Sequence, residues 1–185
     1  MNRYARMIAP GLAAVFMSQA AVAGDAAAPG PLPLTAEAKV MGVDGKEVGT
    51  VSLHDTPTGV LVHVHVMGVP AGDHGFHFHE KGTCDPADKF ASAGAHFAAG
   101  AAMHGLMVDG GPHGGDMPSQ HVGADGMLMA QVLNTGVTLA AGDKSLADAD
   151  GSALVIHAAA DDYSSQPAGN AGARIACAVI YPPKS

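Results

Sequence analysis

From residue 35 onward the chain alternates apolar and polar residues with a period of two, in short runs. The runs TAEAKVMG, KEVGTVSLH, GVLVHVHVMG, HGFHFHE, GMLMAQVL, SALVIHA and ARIACAVIY either alternate or are rich in β-branched residues. A period of two sends successive side chains to opposite faces, so each run reads as a strand with one face toward a core. Most runs are separated by Gly, Asp or Pro turns such as Asp44-Gly45 and Asp125-Gly126, and no long amphipathic helix interrupts them. Seven or eight strands joined in this way specify an all-β fold, an antiparallel sandwich or closed barrel. At 185 residues and 48% hydrophobic content the chain supports one such domain.

The N-terminus has a different character. Arg3 and Arg6 precede the apolar run MIAPGLAAVFM and the small residues AVA before Gly24, the pattern of a secretory signal over residues 1–23. The run falls short of the ~20 residues that span a bilayer, which argues against a membrane anchor. Residues 24–34, GDAAAPGPLPL, read as a flexible leader, leaving 35–185 as the domain. Loss of both arginines takes the formal charge from −8 to −10, which argues against nucleic acid or an anionic membrane as partner after cleavage. Two cysteines, Cys84 and Cys177, in an exported chain favour a disulfide. It would tie the histidine-rich middle to the C-terminal strand.

Two stretches break the period, 81 to about 124 and 158 to about 173, and loops of that length in a compact domain are usually functional or disordered. Histidines crowd into and around them. In HGFHFHE, Phe76 and Phe78 share one strand face while His77 and His79 share the other, so phenylalanines in the core leave two parallel imidazoles outside it. Not all eleven histidines need a role in chemistry. His63 and His65 alternate with Val62, Val64 and Val66 as on a solvated strand face, and His54, near a strand end, reads as surface. His74 fits a buried histidine bonded to backbone, and His121 is open. The remaining six, His77, His79, His96, His104, His113 and His157, sit at strand ends or in the long loops, with Asp116 three residues after His113. Four imidazoles suit Cu(II), and two imidazoles with a carboxylate need one more nitrogen for tetrahedral zinc. If one histidine served both metals, seven side chains would complete two sites.

The segments GFHFHEKGTC, GAHF, MHG, GPHGGDMP, VIHAAADDY and GNAGARIACAVI occur in this order, with spacings of eight from His96 to His104, nine to His113 and three to Asp116. In these segments the chain resembles exported bacterial copper/zinc superoxide dismutases. The resemblance implies an eight-stranded antiparallel Greek-key β-barrel, an immunoglobulin-like sandwich, with two long functional loops. It implies copper on His77, His79, His96 and His157, and zinc on His96, His104, His113 and Asp116, with His96 shared. Asp161 would link a copper and a zinc histidine, Arg174 would hold the anion, and Cys84 would pair with Cys177. The reaction implied is superoxide disproportionation by copper cycling between Cu(II) and Cu(I). In that scheme His96 leaves copper on reduction and carries a proton, in a periplasmic monomer or homodimer.

The chain also departs from the family pattern. Ala98-Ala99 stands where the family often has Asn-Pro or Asp-Pro, Ala178 replaces a glycine, and no lysine lies in 158–173. A competing reading, a non-catalytic carrier of copper or zinc, draws on the surplus histidines and methionines. A carrier, however, has no use for a bridging histidine or for an arginine at the copper.

Overall fold

Val60, Val62, Val64 and Val66 are buried, whereas Leu61, His63, His65 and Met67 between them are half-buried or exposed. One strand thus lays a valine ridge on the core, and its neighbours do the same. The computed structural model describes residues 36–100 and 103–185; the expected signal segment and the leader lie outside the described residues. Eight strands form: β1 Ala36–Gly42, β2 Glu47–Thr56, β3 Gly59–Met67, β4 Gly72–His79, β5 Asp116–Val122, β6 Met127–Asn134, β7 Ser152–His157 and β8 Arg174–Tyr181. They run antiparallel in the order β5-β4-β7-β8-β1-β2-β3-β6. The end strands β5 and β6 also lie against each other, which nearly closes the sheet into a barrel. Around that closure β7 returns to lie beside β4, giving the spatial order β7-β4-β5-β6 of a Greek key.

The core inside the barrel contains Phe76, Phe78, Leu53, Leu128, Leu154 and Ile156 together with the β3 valines. Register explains the phenylalanines, because Phe76 pairs with Ile156 and Phe78 with Leu154 on the inward face. The outward face of β7 is not solvated. Ala153, Val155 and Cys177 pack there with Phe90 and Ala93, and the Cys84–Cys177 disulfide fastens this second cluster. The segment between β4 and β5 therefore roofs the barrel wall beside His77 and His79.

Three expectations are corrected. Residues 116–122, expected inside a loop, form β5; DMPSQHV carries no alternation of apolar residues, since only Met117 and Val122 supply buried hydrophobic side chains to this strand at the end of the ladder. A third long connection, 135–151, joins β6 to β7 and packs Val137 and Leu146 into the core, held by Thr138 N–H to Lys144 C=O and Leu146 N–H to Thr138 C=O. His54 is buried rather than exposed, its ring 4.6 Å from that of His63.

Candidate metal centre

His77 and His79 project outward from the end of β4, opposite Val155 and Ala153 of β7. The backbone of His96 pairs with that of His79 in an isolated antiparallel bridge, which brings the chain segment after Gly94 alongside β4. His157 closes β7 one strand away. His77, His79, His96 and His157 thereby offer four nitrogens that all lie within 4.8 Å of one another, and all four residues are buried. A second group, His96, His104, His113 and Asp116, meets the same distance condition, with Asp116 at the first position of β5. His96 belongs to both, its ring centroid 4.2 Å from His77 and 5.0 Å from His104.

In His77, His79, His104 and His157 the nitrogen not facing these two points is engaged elsewhere, and that orients each of these rings. His77 Nε2 lies 2.7 Å from Asp161 Oδ2, His79 Nδ1 lies 3.0 Å from Gly94 O, and His157 Nδ1 lies 3.3 Å from Gly172 O. His104 Nε2 lies 3.1 Å from the other oxygen of Asp161, so one carboxylate bonds a ring of each group. Gly169 has φ +65°, and a Cβ there would stand 1.8 Å from Asp161 Oδ1 and 2.5 Å from His104 Nε2; only glycine leaves that carboxylate its place. Asp116 accepts the backbone N–H groups of Gly105 and His113 on one oxygen, while the other meets His96 Nδ1 at 2.8 Å.

The opposite nitrogens, His77 Nδ1, His96 Nε2, His104 Nδ1 and His113 Nδ1, are buried and have no hydrogen-bond partner. Buried polar atoms are normally satisfied. Four imidazole nitrogens without a hydrogen bond, those of His104 and His113 lying 3.1 and 3.5 Å from Asp116 oxygens, converge on two points; one group is all-nitrogen and the other has a carboxylate, which fit copper and zinc respectively.

The model of the copper/zinc superoxide dismutase family matches residues 47–180. The chain belongs to this family. It is 46% identical over 149 residues to a copper-zinc superoxide dismutase of Aquifex aeolicus, covering 80% of this chain and 86% of that protein. It is 44% identical to one of Caulobacter vibrioides, covering 79% and 85%. Among solved structures, a superoxide dismutase-like protein of Bacillus subtilis superposes with a TM-score of 0.76 at 34% identity, covering 80% of this chain and 99% of that one. The copper/zinc superoxide dismutase of Brucella abortus superposes with a TM-score of 0.64 at 31% identity, covering 80% and 99%.

A cavity of about 470 Å³ is lined by His79, His96 and His157, with Pro167, Ala168 and Arg174 also in its walls. Arg174 donates to the carbonyls of Phe90 and Gly94 and lies half-buried. Two bracing groups escaped the sequence reading. Gln166 clasps the backbone of His104, accepting from its N–H and donating to its C=O at 3.1 and 2.8 Å. Tyr163 Oη accepts the Ser119 N–H at 2.9 Å, pinning the 158–173 loop to β5. His74 is buried and bonds backbone as expected, its two ring nitrogens 2.6 Å from His157 O and 2.8 Å from Pro70 O. His121 is exposed and pairs with Asp73 across β4 and β5.

The same burial predicts a pH dependence for the metal-free protein. Burial pushes His157 down to about 3 and His79 well below its ordinary 6.5, and it lowers His77 as well. In Asp116 burial opposes ionisation, but the His96 hydrogen bond and the Gly105 N–H outweigh it and hold the carboxyl below its usual range. The fold keeps these histidines neutral while the unfolded chain takes up protons below about 6.5. Stability of the metal-free protein is therefore expected to fall as pH drops from about 6.5 toward 3. The acid Asp116 adds its own loss below its ordinary 3.8. Urea midpoints at pH 7, 5.5 and 4.5 check this; midpoints that stay level across that range contradict it.

Proposed function

We propose that His77, His79, His96 and His157 hold copper, that His96, His104, His113 and Asp116 hold zinc, and that His96 is common to both. The observation that carries this assignment is the set of four buried ring nitrogens without a hydrogen bond, with His96 belonging to both groups. The reaction is that of the family: two superoxide ions and two protons give dioxygen and hydrogen peroxide. Copper, when bound, would supply the one-electron redox chemistry that both half-reactions need, and zinc would add positive charge.

The chain's own residues do the rest. Asp161 holds His77 and His104 in one orientation through its two oxygens. Gly94 O and Gly172 O fix the rings of His79 and His157. His96 Nε2 is the atom at which a proton is held between the two half-reactions, while Nδ1 stays turned toward Asp116; imidazole suits the task because it can be ligand and proton carrier in turn. Export through residues 1–23 would place the enzyme in the periplasm, with 24–34 as a leader to the 35–185 domain. The Arg3 and Arg6 pattern supports this. A mature N-terminus near Gly24, read by sequencing the exported protein, checks it, and a retained Met1 refutes it.

Arg174 captures the anion. The chain carries a net charge of −8, which repels superoxide, and Arg174 is the one arginine or lysine in the wall of the cavity lined by His79, His96 and His157 among the described residues. A cleft lined by one sign of charge focuses the field and speeds capture. Arg174→Ala is expected to lower the second-order rate by about ten-fold or more, ~1.4 kcal/mol of barrier, with both metals retained. Arg174→Lys keeps charge without the planar fork and should lose less. The salt dependence of the rate should change in the alanine variant, since attraction between exposed charges is screened beyond about 10 Å at 0.1 M. A fully metallated Arg174→Ala protein with an unchanged rate at low salt would contradict the assignment.

A further inference from the structure

The wall of the barrel formed by β2, β3 and β6 lies apart in the ladder from β4 and β7, which carry His77, His79 and His157. Its outward residues line up across the strands in two rows, Thr50–His65–Met129 and Ser52–His63–Gln131. These six side chains border a groove of about 370 Å³.

His63 Nε2 is buried and has no hydrogen-bond partner. Among the described residues, the other ring nitrogens in that condition are His77 Nδ1, His96 Nε2, His104 Nδ1 and His113 Nδ1, all of them at the metal centre. Leaving such an atom unpaired costs its full desolvation. A metal ligand atom would account for it here as it does there. The ring of His63 packs against that of His54, with centroids 4.6 Å apart, which limits its freedom to turn away.

The neighbours define the ion. His63 and His65 have the same i, i+2 strand spacing as His77 and His79, so their imidazoles share a face. Met129 stands directly opposite His65 in the β3–β6 ladder and is 68% exposed, so its thioether is free to swing. Opposed residues hold their Cβ atoms about 4.5 to 5.5 Å apart, within reach of one shared ion. No carboxylate borders the groove among the described residues, which disfavours magnesium or calcium. Two imidazoles and a soft thioether form a donor set for Cu(I).

We propose that His63, His65 and Met129 form a second Cu(I)-binding site on this outer wall, separate from the metal centre, an inference that rests in part on the assignment proposed for that centre. The test uses the copper- and zinc-loaded protein, titrated with Cu(I) without oxygen against a coloured Cu(I) chelator. One equivalent beyond the metal centre is expected. His65→Gln and Met129→Leu should each weaken that equivalent at least ten-fold while leaving the superoxide rate unchanged. Both positions are exposed, so neither change threatens the fold. X-ray absorption at the copper edge should show a sulfur neighbour in the parent protein and none in Met129→Leu, since the proposed ligands at the metal centre are nitrogens and one oxygen. Three results overturn the proposal: no extra equivalent, a nitrogen-only spectrum, or an extra equivalent that survives the double variant. The last would assign the ion to other exposed methionines such as Met107.

Discussion

Reducing the Cys84–Cys177 bridge is expected to lower the stability of the metal-free protein by up to about 4 to 5 kcal/mol, the chain-entropy value for a loop of 93 residues. The structure adds a reason for the loss to reach the metal centre. Cys177 is buried with Phe90, Ala93, Ala153 and Val155 in the cluster outside the barrel. Cys84 begins the segment whose Phe90 and Gly94 carbonyls hold Arg174 and whose Gly94 carbonyl meets His79 Nδ1. Reduction should therefore free 84–96 to move, loosen the clasp on Arg174, and lower the superoxide rate at full metal content. Paired urea curves of oxidised and reduced protein measure the first effect, and rates on the same samples measure the second. Coincident midpoints would show that packing of Phe90 alone holds the segment.

His96→Ala is expected to produce the largest loss of activity, about a hundred-fold or more, in the range of a lost general acid–base group. The variant keeps three imidazoles in the first group and two imidazoles with Asp116 in the second, so both metals should bind, the zinc more weakly. Asp116 also loses its 2.8 Å partner on Oδ1, which adds disorder to the second group. A rate within a few-fold of the parent, at full copper content, would show that proton delivery does not pass through this ring.

Much of this was legible in the residues. The alternation of Phe76 and Phe78 with His77 and His79 encodes both the inward register against Ile156 and Leu154 and the outward pair of imidazoles. A strand's period is a local property that needs no partner to be read. Asp116–Val122 was not legible as a strand, because it lies at the end of the ladder and buries few apolar side chains, so tertiary pairing with β4 overrides a weak local signal. His54 misled for a related reason: its position near a strand end reads as exposed, and its burial depends on packing that no local pattern encodes. Gln166 clasping His104 spans 62 residues of sequence, and a side chain serving a distant backbone leaves no spacing to find. The sequence singles out Arg174 as a candidate cation for the anion, but its bonds to two carbonyls of the segment after Cys84 appear only in three dimensions.

The claim that His96 joins two metal sites is tested most directly by the copper electron paramagnetic resonance spectrum, recorded alongside metal analysis, before and after selective removal of zinc. With His96 shared between the groups, the protein should carry one copper and one zinc per chain. The copper signal should change when zinc leaves, since the ring then keeps a metal on one nitrogen alone. The same removal in His96→Ala should leave the copper signal as it was. A parent spectrum indifferent to zinc would contradict the bridge and leave two independent metal sites in its place.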